Sequence, residues 1–169
     1  SLNGDFAEEM PVIVHPVYWV APNGVDAVGG GRGWRPSLPW ASPKFALEGN
    51  KICKGARVII APGSYDAGSI HPIWNNNPRP GTGEVVIEGA GRDSTILYNT
   101  ASTPNNYLLQ PDPTNGRATY KNMKIYSSKV LPDEMNLVSN AQGSKIQFWD
   151  CTLGDGNNEI SNIVSHIGG

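Results

Sequence analysis

Residues 109 to 154 repeat themselves at an offset of 28 positions, and that period constrains the fold more than any other feature of the chain. Leu109-Gln110-Pro111-Asp112 aligns with Leu137-Val138-Ser139-Asn140. Arg117-Ala118-Thr119-Tyr120-Lys121-Asn122-Met123-Lys124-Ile125 aligns with Lys145-Ile146-Gln147-Phe148-Trp149-Asp150-Cys151-Thr152-Leu153. Tyr120 meets Phe148, Met123 meets Cys151 and Ile125 meets Leu153, with no gap between the two runs. A fixed period of 20–50 residues marks an architecture of stacked repeats. Within each unit, Lys and Asn separate the apolar residues with a spacing near two, as in strands with one buried face. A unit of short strands and polar turns fits one coil of a parallel β-solenoid, with neighbouring coils about 4.8 Å apart.

The chain of 169 residues is long enough for one domain with a real core. Its 20 Gly and 14 Pro, with frequent Asn, favour turns and disfavour a helical bundle. Charged residues make up 17% and the formal net charge is −2, which argues against nucleic acid as a partner. No apolar run approaches the roughly 20 residues of a membrane span, and no signal-peptide pattern is visible at the start of the sequence. Cys151 sits in the inward phase opposite Met123 and reads as a core residue. Cys53 falls in an expected helix. The cysteine spacing supports neither a disulfide nor a zinc site.

Residues 1–16 read as an extended arm and 17–169 as the repeat domain. Pro11-Val12-Ile13-Val14-His15-Pro16 is an apolar run bracketed by prolines, which suits an edge strand or an arm laid on a neighbouring subunit. Val17–Val20 is a strand closed by the turn Ala21-Pro22-Asn23-Gly24. The glycine-rich loop from Asp26 to Arg35 lacks a phosphate-loop signature. Ser42-Pro43 reads as a helix N-cap followed by Pro, with Phe45, Gly49, Ile52 and Cys53 as the apolar stripe and Gly55 as the stop. The strand Arg57–Ala61 ends in Pro62-Gly63-Ser64-Tyr65. Val58–Pro62 matches Val85–Gly89 at an offset of 27, and a further strand covers Thr95–Tyr98. Between them, residues 71–83 form an insertion containing Trp74-Asn75-Asn76-Asn77, of the kind that often carries binding. Ile160, Ile163, Val164 and Ile167 follow the last coil without an amphipathic cap. An open solenoid end exposes a strand edge, so another subunit, or further chain, is expected to cover it.

Tyr18–Asp26, the glycine-rich loop, the short helix and Ala56–Tyr65 together resemble the opening of right-handed parallel β-helix proteins of the pectate-lyase-like superfamily, which includes phage tailspikes. Val86–Leu97 and Tyr120–Ile125 are similar to two further phrases of that superfamily. The resemblance spans residues 17–154. It implies an all-β fold: a short right-handed parallel β-helix of about five coils with one short N-terminal capping helix. It does not fix a function, because this scaffold hosts lyases, esterases, hydrolases and non-catalytic virion proteins.

Catalytic members place acidic and basic side chains together on one outer face. Glycoside hydrolysis needs two carboxylates about 5–10 Å apart, and lyase chemistry needs a base beside a cation. At the coil period, Asp112 pairs with Asn140 and Asn122 with Asp150, so neither stack gives two carboxylates. Asn122 and Asp150 read as turn or ladder positions. Asp93 is expected to pair with its neighbour Arg92. Asp133-Glu134 lies in a solvated loop, and His15, His71 and His166 are too scattered for a metal triad. No catalytic residue, metal or cofactor is assigned. Trp34, Trp40, Trp74 and Trp149 remain as candidate contact aromatics, or as lids on the core.

The leading expectation is a non-enzymatic virion structural protein, either a capsid decoration (cement) protein or a tail spike or fibre base. It would be a homotrimer bound to other virion or shell proteins, located in the virion or outside the cell. Its contact residues would be Pro11, Val12, Ile13, Val14 and His15 in the arm, Trp74, Asn75, Asn76 and Asn77 in the insertion, and Ile160, Ile163, Val164 and Ile167 at the open end. One alternative is a lyase or hydrolase acting on an acidic polysaccharide through Asp150, Asp112, Arg117 and Lys145. The other is a glycan-binding adhesin module using the loop tryptophans.

Overall fold

The computed structural model describes residues 15–49, 51–53, 55–66, 84–99, 117–127, 145–154 and 159–161. These form a sheet of strands with one short helix: β1 (Val17–Val20), α1 (Pro43–Leu47), β2 (Arg57–Ile60), β3 (Gly63–Asp66), β4 (Glu84–Gly89), β5 (Thr95–Asn99), β6 (Arg117–Ser127), β7 (Lys145–Gly154) and β8 (Glu159–Ser161). The fold is all-β and the pairing is parallel except at β8. No helix among the described residues is long and apolar enough to cross a membrane.

The sheet has two limbs. In the first, β1, β2, β4 and the starts of β6 and β7 pair in sequence order. In the second, β3, β5 and the ends of β6 and β7 do the same. Strands β6 and β7 run through both limbs and bend between them at Asn122 (φ 55°) and Asp150 (φ 49°). Asn and Asp are the side chains that best tolerate the left-handed region. Both are thus bends within the ladder, in keeping with the turn or ladder positions read from the sequence, and the 28-residue period places both at one corner.

Register follows the repeat where the repeat is strongest. Arg117 lies beside Lys145, Tyr120 beside Phe148 and Ile125 beside Leu153. The weaker match at 27 residues is corrected: Val58 pairs with Ile87, a stagger of 29. A shift of two residues preserves which side chains face inward, so the pattern alone could not separate the registers. The segment 109–112 and its partner 137–140 lie outside the described residues.

Inward positions fill the core. Tyr18, Val58, Ile87, Tyr120 and Phe148 form one row across the first limb and are all buried. The Tyr120 and Phe148 rings stack with centroids 5.7 Å apart. Tyr65, Leu97, Ile125 and Leu153 form the corresponding row of the second limb. At the corner, buried Thr95 accepts the Ala90 N–H at 2.9 Å and reaches the Ile60 and Ala61 carbonyls at 3.4 and 3.3 Å.

The glycine-rich loop closes the β1 end of the stack. Trp19 N–H donates to Gly33 O, and Trp40 N–H donates to Trp19 O, so the loop backbone satisfies the outer edge of β1. Asp26 holds the loop by accepting from the Ala41 and Ser42 amides and the Ser42 hydroxyl. Trp40 is buried. It stacks on Tyr18 at 5.6 Å, meets Phe45 edge-on at 5.9 Å, and donates its indole N–H to Ala27 O. Trp40 is thus a lid on the core and not an exposed contact aromatic.

Three further expectations are corrected. Helix α1 begins as read, with Ser42 Oγ accepting the Phe45 N–H and Pro43 in the first turn, but it ends at Leu47. Glu48 is extended and Gly49 is left-handed (φ 72°), so Gly49 and not Gly55 is the breaker. Ile52 still reaches the core, and Cys53 leaves the helix to accept from Tyr18 Oη at 3.6 Å. Next, Gly63–Asp66, read as a terminating turn, is itself a strand that starts the second limb. Finally, the far end is not fully open. Backbone pairing of Ile160 with Leu153 lays β8 antiparallel on the second-limb half of β7.

Candidate functional site

Outward side chains of the first limb fall into rows fixed by register. One row runs Val17, Arg57, Val86, Thr119, Gln147, and the next runs Trp19, Ile59, Glu88, Lys121, Trp149. A third contains Glu84 and Arg117. Strand alternation puts these positions on the outward phase, although Thr119 is itself covered, at 3% exposure.

Charges on this face link neighbouring strands. Arg57 Nε and Nη2 both donate to Glu88 Oε2, at 2.9 and 2.5 Å, and Glu88 Oε1 accepts from Asn122 Nδ2 at 3.4 Å. The Thr119 hydroxyl donates to Glu84 Oε1. At the corner Arg92 Nε meets Asp150 Oδ1 at 3.0 Å. The expected Arg92–Asp93 pair is therefore replaced by one that links the β4–β5 turn to β7. Both partners are about half exposed, so the bridge contributes only about 0–1 kcal/mol.

The four residues of the lyase or hydrolase alternative do not converge. Arg117 and Lys145 pair at the start of the first limb, whereas Asp150 lies at its end. Five strand positions separate them, roughly 16 Å. Asp112 lies outside the described residues. Among the described residues, no group of three His, Cys, Asp or Glu side chains is placed to hold a metal ion.

The buried titratable groups serve the core. Burial pushes the Cys151 thiol up, which leaves it a poor nucleophile, and its Sγ lies 3.4 Å from Tyr120 O. Burial, and next the nearby Cys151, raise the Tyr120 phenol. Its hydroxyl has no hydrogen-bond partner among the described residues. Both cysteines are free.

Of the proposed contact residues, His15 lies on its own sheet, where its Nδ1 is 2.8 Å from Gly55 O. The adjoining Pro16 O accepts from Arg57 N–H. Ile160 pairs through its backbone with Leu153. Pro11–Val14, Trp74–Asn77, Ile163, Val164 and Ile167 lie outside the described residues, as do His71, His166 and Asp133-Glu134. Trp149 is 60% exposed beside Lys121, in the outward phase read from the repeat, and Trp34 is 53% exposed against Tyr18. Arg57, Glu84, Glu88 and Thr119 were not singled out by sequence reasoning. Their outward phase was readable, but their grouping depends on the stagger between paired strands. No family model, curated protein or solved structure matches this chain.

Proposed function

We propose that the chain is a short right-handed parallel β-helix that works as a non-enzymatic structural component of a virion, a decoration protein or spike base, and assembles as a homotrimer. The observation that carries this reading is how the outward charges are used. Glu88, Asp150 and Glu84 each reach across to another strand or coil, which reinforces a platform and does not gather a reactive pair. The two-limbed parallel ladder supports the β-helix assignment, and the superfamily resemblance of residues 17–154 supports the virion setting. Sedimentation equilibrium with and without Ca²⁺ tests the proposal. The expected result is a trimer insensitive to Ca²⁺. A monomer at all concentrations refutes the assembly role.

A second reading, glycan binding, draws on exposed Trp149 beside Lys121, since an aromatic face next to a cation stacks well on a sugar ring. A glycan array lost on Trp149→Ala, with the trimer intact, would favour it.

A further inference from the structure

A hollow of about 290 Å³ lies on the outward face of the first limb, at the starts of β1, β2 and β4. Val17, Arg57 and Val86 form one row. His15, Gly55 and Glu84 line the hollow beside that row, with Gly55 in a left-handed turn (φ 78°) just before β2. The Gly55 N–H donates to Glu84 O at 2.9 Å, and His15 Nδ1 lies 2.8 Å from Gly55 O. Five of the six positions carry side chains. The sixth is glycine, which contributes no side chain to the hollow.

The walls combine two opposite charges with aliphatic surface. Arg57 is held by Glu88, which is itself tethered by Asn122. That fork uses two of the five guanidinium N–H groups and leaves three. Glu84 is held through Oε1 by the Thr119 hydroxyl, which leaves Oε2 without a partner among the described residues. Arg117 flanks Glu84 on the side away from the hollow. Arg57 and Glu84 are thus fixed by separate partners and do not neutralise each other. Val17 and Val86 supply the apolar wall. Because Gly55 O can only accept, His15 Nδ1 carries the hydrogen between them. Nε2 of the neutral ring is then an acceptor.

We propose that this hollow binds a small zwitterion with an apolar side chain, in chemical class a free aliphatic or aromatic α-amino acid. The ligand carboxylate meets the remaining Arg57 donors. Its ammonium meets Glu84 Oε2 and His15 Nε2, and its side chain lies on Val17 and Val86. The volume sits at the low end of the range for small-molecule pockets. Both charged groups are held before the ligand arrives, which lowers the ordering cost of binding. The inference stands apart from the structural role above and does not need it.

The test is an amide chemical-shift titration of the whole chain with L-leucine. Isovalerate and isopentylamine serve as probes carrying only one of the two charges. Leucine is expected to give saturable millimolar shifts at Gly55, Ala56 and Val86, with each single-charge probe at least tenfold weaker. Arg57→Gln and Glu84→Gln are each expected to weaken leucine at least tenfold. The comparison of probes on the unaltered chain stands even if a variant fails to fold. Absence of saturable shifts with leucine overturns the proposal. So does either single-charge probe matching leucine, or leucine binding unchanged in both folded variants.

Discussion

The corner residue Asn122 offers the sharpest test of why the two limbs meet where they do. Its backbone is left-handed at φ 55°, and the equivalent Asp150 one repeat later is at 49°. An L-residue in this region loses about 1–2 kcal/mol relative to the right-handed region, and glycine loses almost nothing. The Asn122 side chain adds one long contact to Glu88 at 3.4 Å, worth about 0.5 kcal/mol at most. Backbone conformation therefore dominates, and the order of variants follows. Asn122→Gly is expected to stay within about 0.5 kcal/mol of the native chain. Asn122→Ala is expected to cost about 1 kcal/mol and Asn122→Val about 2 or more, because a β-branched side chain fits this region worst. Urea unfolding followed by circular dichroism measures each difference at constant slope. In a chain of this length, 1 kcal/mol moves the midpoint temperature by about 2–4 °C. Asn122→Gly matching Asn122→Val in cost would refute the argument, because the side-chain tether and not the bend would then hold the corner.

Two other outcomes follow from the packing. Gly33→Ala would place a methyl 2.5 Å from the Trp40 ring at a position with φ 77°, so strain and overpacking act together. A loss of about 2–4 kcal/mol is expected by thermal melting, whereas Gly30→Ala, which meets nothing within 4 Å, should cost only the backbone part. In alkali, burial pushes the Tyr65 phenol up to about 12 from its ordinary 10 and raises Tyr120 further. Both phenols are neutral in the folded chain where the unfolded chain has begun to ionise. Their contribution is whole below pH 10 and is lost as the pH rises through 12. Denaturant midpoints should fall across that window, with Tyr65→Phe flattening the decline. Midpoints that rise with pH there would contradict it.

The distribution of inward and outward side chains was legible in the sequence because strand alternation is local. Tyr120, Met123, Ile125 and their partners at an offset of 28 could be set in register with no structure in hand, and Ser42-Pro43 marked the start of the helix. The same pattern that buries Phe148 puts Trp149 outside. Local signals stop where two segments must agree on a stagger. Val58 pairs with Ile87 at 29 and not 27, since alternation is blind to a shift of two residues. Helix α1 ends at Leu47 although the apolar stripe continues, because Glu48 is extended and Gly49 is left-handed, and Ile52 reaches the core from outside the helix. The Pro62-Gly63 turn leads directly into a strand because the corner delivers Gly63 beside Thr95. Arg92 reaches Asp150 instead of Asp93 because stacking brings the distant corner close. The hollow at Gly55 exists only when three strands align. Period, phase and turn chemistry belong to the sequence. Stagger, the lid of Trp40 and every outward grouping belong to the tertiary structure, because they depend on which strands become neighbours.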